Sequence, residues 1–181
     1  SVVEERIKSK NKKIIDYANS KFQSDFLDIY LPSKCLFALY SESGISAIPE
    51  AFNRPVVYVN WSSQAAISSY NPNSLFIPKK FYSLKKKRNL TFREIINSEL
   101  GRPHSTEDFK KKDVIVIENT PDEIYEVTLE MIKRINNKWT DTPEENKMQK
   151  KFWDLFDYSF IKPTSFKIGS DFLKKNFELL N

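Results

Sequence analysis

Two uninterrupted apolar runs, Cys35-Leu36-Phe37-Ala38-Leu39-Tyr40 and Val56-Val57-Tyr58-Val59, constrain this chain more than any other feature. A half-buried strand alternates apolar and polar residues, whereas a continuous run of this length suits a strand covered on both faces. Such strands need helices above and below them. The stretch between the runs, Ser43 to Asn53, is long enough for a short helix. Lys13-Ile14-Ile15-Asp16-Tyr17-Ala18, Ser74 to Ile77 and Val114 to Ile117 supply further strand candidates. Asp25 to Leu31 reads as a helix with Phe26, Leu27, Ile29 and Tyr30 at its apolar positions, and Pro32 discourages its continuation. The repeating order strand, helix, strand predicts an α/β sandwich with a mainly parallel sheet.

The last third changes character. Thr120-Pro121-Asp122-Glu123 combines an N-cap, a proline at the first helical position and a glutamate at the third, and Ile124, Val127, Met131 and Ile135 keep helical spacing toward Lys138. Thr142-Pro143-Glu144-Glu145 repeats the signal ahead of Met148, Phe152 and Leu155. A final pattern, Ser170 to Leu180, makes three C-terminal helices. Lys79 to Lys112 reads as a basic insertion, partly mobile, with one helix at Thr91 to Leu100.

Composition narrows the chemistry. With one cysteine, Cys35, and one histidine, His104, the chain has neither an internal disulfide nor a cysteine-rich zinc site. The net charge of +5 is spread along the sequence instead of gathering in one patch, which argues against a nucleic-acid partner. His104 reads as a solvated loop residue. The run Lys85 to Arg88 reads as a solvated charge cluster or as a contact to anionic lipid or a lipid-linked acceptor. No apolar run approaches the roughly 20 residues of a membrane-spanning helix, and no signal segment opens the chain, so the cytoplasm is the expected compartment, with peripheral attachment to the inner membrane face as an added expectation. Because Ser1 is not an initiator methionine, the chain reads as part of something longer.

One segment has the position of a ligand site. Ser41-Glu42-Ser43-Gly44-Ile45-Ser46 follows a strand and leads into a helix, and open α/β sheets bind ligands at the carboxyl ends of their strands. Gly44 suggests a backbone with positive φ or a close approach. Pro49 belongs in a first turn, so the helix is expected to begin near Ser46 as N-cap, leaving Ser43 to Ser46 as a loop that offers amides and hydroxyls to a phosphate. The plainer reading is a turn glycine and a capping serine. No P-loop and no Gly-x-Gly-x-x-Gly is present.

From Cys35 to Trp61 the chain resembles the nucleotide-sugar-binding segment of GT-B glycosyltransferases, and most of all a bacterial family of such enzymes linked to surface carbohydrate. The likeness extends to Ile15 to Ala18, Ser24 to Cys35, Glu118-Asn119-Thr120 and Ile168 to Leu173. Against the inverting pattern Asp-Ser-Gly-Pro-x-His followed by Gly-x-Pro, Ser43, Gly44 and Pro55 match without gaps. Glu42, Ile45, Ala47 and Asn53 depart from it. The retaining pattern of two glutamates fits Glu42 and Glu50, but its Gly-x-Pro lies two residues further on, a rotation of about 200° along a helix. The ungapped register is therefore preferred, with Glu50 as a helix-surface or first-turn acid.

The resemblance implies a Rossmann-like three-layer sandwich forming one domain over residues 1–181, the donor-binding half of an enzyme whose N-terminal acceptor domain lies elsewhere in the protein. It implies a nucleotide-diphosphate sugar as donor substrate, no metal and no other cofactor. Glu42, Ser43, Gly44, Ile45 and Ser46 would lie at the diphosphate, and Asn60 and Trp61 beside the sugar or nucleobase. Trp61 reads equally as an aromatic capping the core. The final helix is expected to cross back to the first domain and so to expose an apolar stripe here. A non-catalytic interaction or nucleotide-sensing module on the same fold is the alternative.

Overall fold

The computed structural model describes residues 6–66, 71–102, 105–156 and 166–181. Helix α1 (Asp25–Lys34) leads into strand β1 (Ala38–Tyr40), and a 3-10 turn (Gly44–Ser46) with helix α2 (Ala47–Ala51) connects it to β2 (Val56–Trp61) and β3 (Leu75–Pro78). A smaller unit follows: β4 (Lys80–Ser83), β5 (Arg88–Asn89), α3 (Phe92–Ile96), α4 (Thr106–Lys111) and β6 (Val114–Ile117). Helices α5 (Pro121–Ile135) and α6 (Pro143–Trp153), strand β7 (Lys167–Ile168) and helix α7 (Ser170–Lys175) complete the chain, with a last 3-10 turn at Phe177–Leu180.

Strands β1, β2, β3 and β7 lie side by side in that order, each parallel to its neighbour. Helices cover both faces, giving the Rossmann-like α/β sandwich that the sequence predicts. Strand β3 shows why its run is apolar throughout. Phe76 packs on Phe152 of α6 at 5.7 Å and on Phe166 at 4.8 Å, while Ile77 points the other way, toward Val127 of α5. Gly169 sits between these last two side chains, where a Cβ would come within 2.9 Å of Ile77 Cγ2 and 3.1 Å of Val127 Cγ2. The absence of a side chain there lets α7 close on the sheet.

Thr120 and Thr142 cap α5 and α6 as expected, each with the glutamate three residues on returning a bond to the cap. Helix α5 stops at Ile135, short of Lys138, because Asn137 turns left-handed (φ 55°) and Lys138 N–H closes back onto Lys133 O at 2.8 Å.

Several expectations are corrected. Lys13 to Ala18 forms no strand; it is irregular, with a 3-10 turn at Tyr17–Asn19 and Ile14 and Ile15 exposed. Helix α1 runs through Pro32 to Lys34, and Ser33 Oγ and Cys35 Sγ close its last turn by donating to Tyr30 O and Pro32 O. Within Cys35 to Tyr40 only Ala38–Tyr40 pairs, and as an edge strand it leaves Leu39 43% exposed. Val114–Ile117 joins a second, antiparallel sheet of order β5-β4-β6. With its two helices this sheet gives the described part of Lys79 to Lys112 a hydrophobic cluster, built on Phe81, Leu90, Ile95, Leu100 and Phe109. The final segment buries Phe172, Leu173, Leu179 and Leu180, so it exposes no apolar stripe. Of that segment only Phe177 is exposed among the large apolar residues, whereas α1 and β1 with their flanks expose Phe22, Phe26, Ile29, Tyr30, Leu36 and Leu39 together.

Candidate functional site

A polar cleft of about 360 Å³ opens where β1 and β2 end and the smaller sheet begins, lined by Ser41, Glu42, Asn60, Ser62, Lys79 and Glu118. The order of the parallel strands never reverses, so no gap between diverging strands is available. The smaller sheet supplies the far wall.

Asn60 is set by the backbone. The β2–β3 register shifts between Tyr58 and Trp61, and Asn60 takes up the irregularity with φ 54°, a left-handed conformation that asparagine accepts better than most residues. Its backbone N–H donates to Asn119 Oδ1 at 2.6 Å, and its Oδ1 accepts from Asn119 N–H at 2.7 Å. Among the described residues its side-chain amide N–H2 has no partner.

Glu42 bridges the ends of β1 and β2: its Oε2 accepts from the Ser62 backbone N–H at 3.1 Å and from Ser62 Oγ at 2.5 Å. Burial pushes the Glu42 carboxyl up, but the bonds from Ser62 and Ser63 outweigh it and hold the group below the usual carboxylate range. Lys79 crosses from β3 to β4. Its backbone N–H donates to Trp61 O, its carbonyl accepts from Gln64 Nε2, and its Nζ pairs with Glu118 Oε1 at 2.8 Å. The cleft therefore holds two carboxylates, one ammonium, an amide and hydroxyls.

Glu42 and Asn60 thus meet in one cleft, and the other predicted residues stand apart from it. Ser43, Gly44 and Ile45 form the exposed turn beside it. Ser46 holds the N-cap position of α2, as expected, but makes no capping bond: it is helical itself (φ −63°, ψ −20°), and its hydroxyl donates back to Ser43 O at 2.7 Å. Gly44 has neither positive φ nor a close neighbour; the space where its Cβ would sit is open. Trp61 packs edge-on to Tyr58 at 5.0 Å with its indole N–H on Ser63 O, which satisfies the core-capping reading. Glu50, a first-turn acid of α2, lies beside the Tyr58 hydroxyl; burial first, and then this carboxylate, push Tyr58 far above its ordinary value. The sequence reading has Ser41 in the ligand segment and Glu118 in the likeness without giving either a role, and misses Ser62 and Lys79. Their signal is position, since each lies just past a strand's end.

A larger cavity of about 520 Å³ lies at the opposite, amino ends of the strands, beside Pro55, Ser74, Arg134, Trp139 and Lys167. Its charges answer one another: Arg134 bonds Glu130 at 2.7 Å and Asp141 at 2.5 Å, and Lys167 bonds Asp141. That closed network marks it as structural. In Lys85 to Arg88, Lys86 and Arg88 both pair with Glu94. His104 lies outside the described residues. Among the described residues, no three metal-ligating side chains of His, Cys, Asp or Glu gather, and no helix is long and apolar enough to cross a membrane. Comparison with known protein families, curated proteins and solved structures finds no match to this chain.

Proposed function

We propose that the chain binds a nucleotide-sugar donor, as the donor-binding domain of a metal-independent glycosyltransferase of cytoplasmic surface-polysaccharide synthesis. The observation that carries this reading is the cleft at the carboxyl ends of β1 and β2, whose amide, hydroxyl, ammonium and carboxylate groups suit a polyhydroxylated ligand. In this reading the sugar occupies the cleft, between Asn60, Glu42 and Glu118. The diphosphate lies over the Ser43 to Ser46 turn, where the open space at Gly44 admits close approach. Lys79 is the one cation lining the cleft, and Glu118 already answers its charge, so the diphosphate would rely on the amides of the turn.

A donor half needs an acceptor-binding partner. The apolar groups exposed on α1 and β1 provide a face against which an N-terminal domain of the same protein would pack. A lipid-linked acceptor at the membrane surface fits this scheme.

The second reading, a non-catalytic nucleotide-sensing or interaction module, is favoured by Glu42. A carboxylate tied to Ser62 beside the turn disfavours phosphate and is not free to act as a base. Thermal-shift measurements with UDP, GDP, CDP, ADP and CMP separate donor binding from an interaction module that takes no nucleotide, and turnover of a stabilising nucleotide's sugar ester by the full-length protein separates it from nucleotide sensing. Ligand at about 100 times its dissociation constant adds roughly 2.7 kcal/mol to stability. Selective stabilisation by one diphosphate, lost in Ser43→Glu, is the expected result for a donor site; no response to any nucleotide overturns it.

A further inference from the structure

We infer that the sugar held in the cleft carries no acidic group, because Glu42 and Glu118 outnumber the single ammonium of Lys79 and exclude a third carboxylate; this rests on the donor-binding reading above. Lys79 Nζ lies 2.8 Å from Glu118 Oε1, so its charge is already answered within the protein, and the cleft is left with one carboxylate in excess. Glu42 cannot turn away to relieve a like charge. Two donors of Ser62 fix it at the junction of β1 and β2. A uronic or sialic acid entering here would meet net negative charge from two carboxylates, Glu42 and the 66% exposed Glu118, at a distance short enough for the repulsion to survive contact with solvent.

Hydroxyl groups meet the opposite situation. They donate to the free oxygen of Glu118, whose side chain is 66% exposed, and accept from the unpartnered N–H2 of Asn60. The cleft is at the small end of ligand sites, which suits a sugar ring whose nucleotide extends outward.

The test uses the glucosyl and glucuronosyl esters of whichever nucleoside diphosphate stabilises the chain best, with affinities measured calorimetrically. The two ligands differ only in the carboxylate. The glucosyl ester is expected to bind about tenfold more tightly or better, and Glu118→Gln and Glu42→Gln are each expected to narrow that gap. Glu118 is exposed, so its variant keeps the fold even if Glu42→Gln disturbs the strand ends. Equal affinity for the two esters overturns the inference while leaving donor binding intact, as does a gap unchanged in both variants. A preference for CMP over every diphosphate also overturns it, since the sugars activated on CMP are acidic. Failure of all nucleotides and both esters to bind removes the donor-binding reading and this inference together.

Discussion

Asn60 and Asn119 hold each other by reciprocal bonds, each backbone N–H donating to the other's side-chain oxygen, at 2.6 and 2.7 Å. Asn119 also donates from Nδ2 to Pro78 O at 2.8 Å. One side chain thereby joins the end of β2, the end of β3 and the approach to α5. Asn119 is 7% exposed, so Asn119→Ala leaves the Asn60 N–H and the Pro78 carbonyl without partners in a dry setting. The expected loss is about 3 kcal/mol of unfolding free energy. Urea titration checks it, with the midpoint falling and the slope unchanged.

Acid should weaken the fold through the helix caps. Glu123 accepts from Thr120 N–H and from Lys80 Nζ, both at 2.8 Å. Burial pushes its carboxyl up, but these partners outweigh burial and leave it below the usual range; Glu145, with Lys174 and Thr142, behaves alike. Between the lowered native value and the ordinary one, the unfolded chain binds more protons than the native one. The stabilisation is therefore present above about pH 4.5 and is lost as pH falls through the native value. Melting temperature is expected to drop between about pH 5 and pH 3, and Glu123→Gln should start lower at neutral pH and drop less steeply.

Two glycines should respond in opposite senses. Gly169→Ala drives a Cβ into Ile77 and Val127 and is expected to cost about 1–3 kcal/mol. Gly44→Ala meets open space at an ordinary φ, and is expected to leave stability unchanged or raise it by up to about 1 kcal/mol. Calorimetric melting of the two variants decides both.

Phe26, 69% exposed and stacked on Tyr30 at 5.3 Å, contributes little to this domain's own core. Phe26→Ser should shift stability by no more than about 0.5 kcal/mol. Calorimetric melting checks it; a larger loss would show that Phe26 packs more closely on this domain than its exposure implies.

What the sequence made legible follows from how local each signal is. The caps at Thr120 and Thr142 are set by four adjacent residues, and both helices start where those residues say. The runs at Val56 and Leu75 are buried on both faces, as continuous apolar sequence requires. Val114 to Ile117 looks the same on paper, yet Ile115 and Ile117 face outward from the smaller sheet. Which sheet a strand joins is decided by partners distant in sequence, here Lys80 to Ser83. The site divides in the same way. Glu42 and Asn60 were visible because one contiguous strand, turn, helix and strand carries them both, whereas Lys79 and Glu118, though each follows an apolar run directly, enter the cleft only through the folding of a unit that reads as an insertion.

That unit leaves the larger sheet after Pro78 and returns at Asn119, two residues in direct contact. Forty residues thus leave and return at one point of the backbone, but they do not hang free: Phe92 of α3 packs on Phe152 at 5.0 Å and Lys80 pairs with Glu123 of α5. The wall facing Glu42 and Asn60 is therefore keyed into the main core through α3, and exchanging it would also reshape the packing around Phe152 beneath the parallel strands.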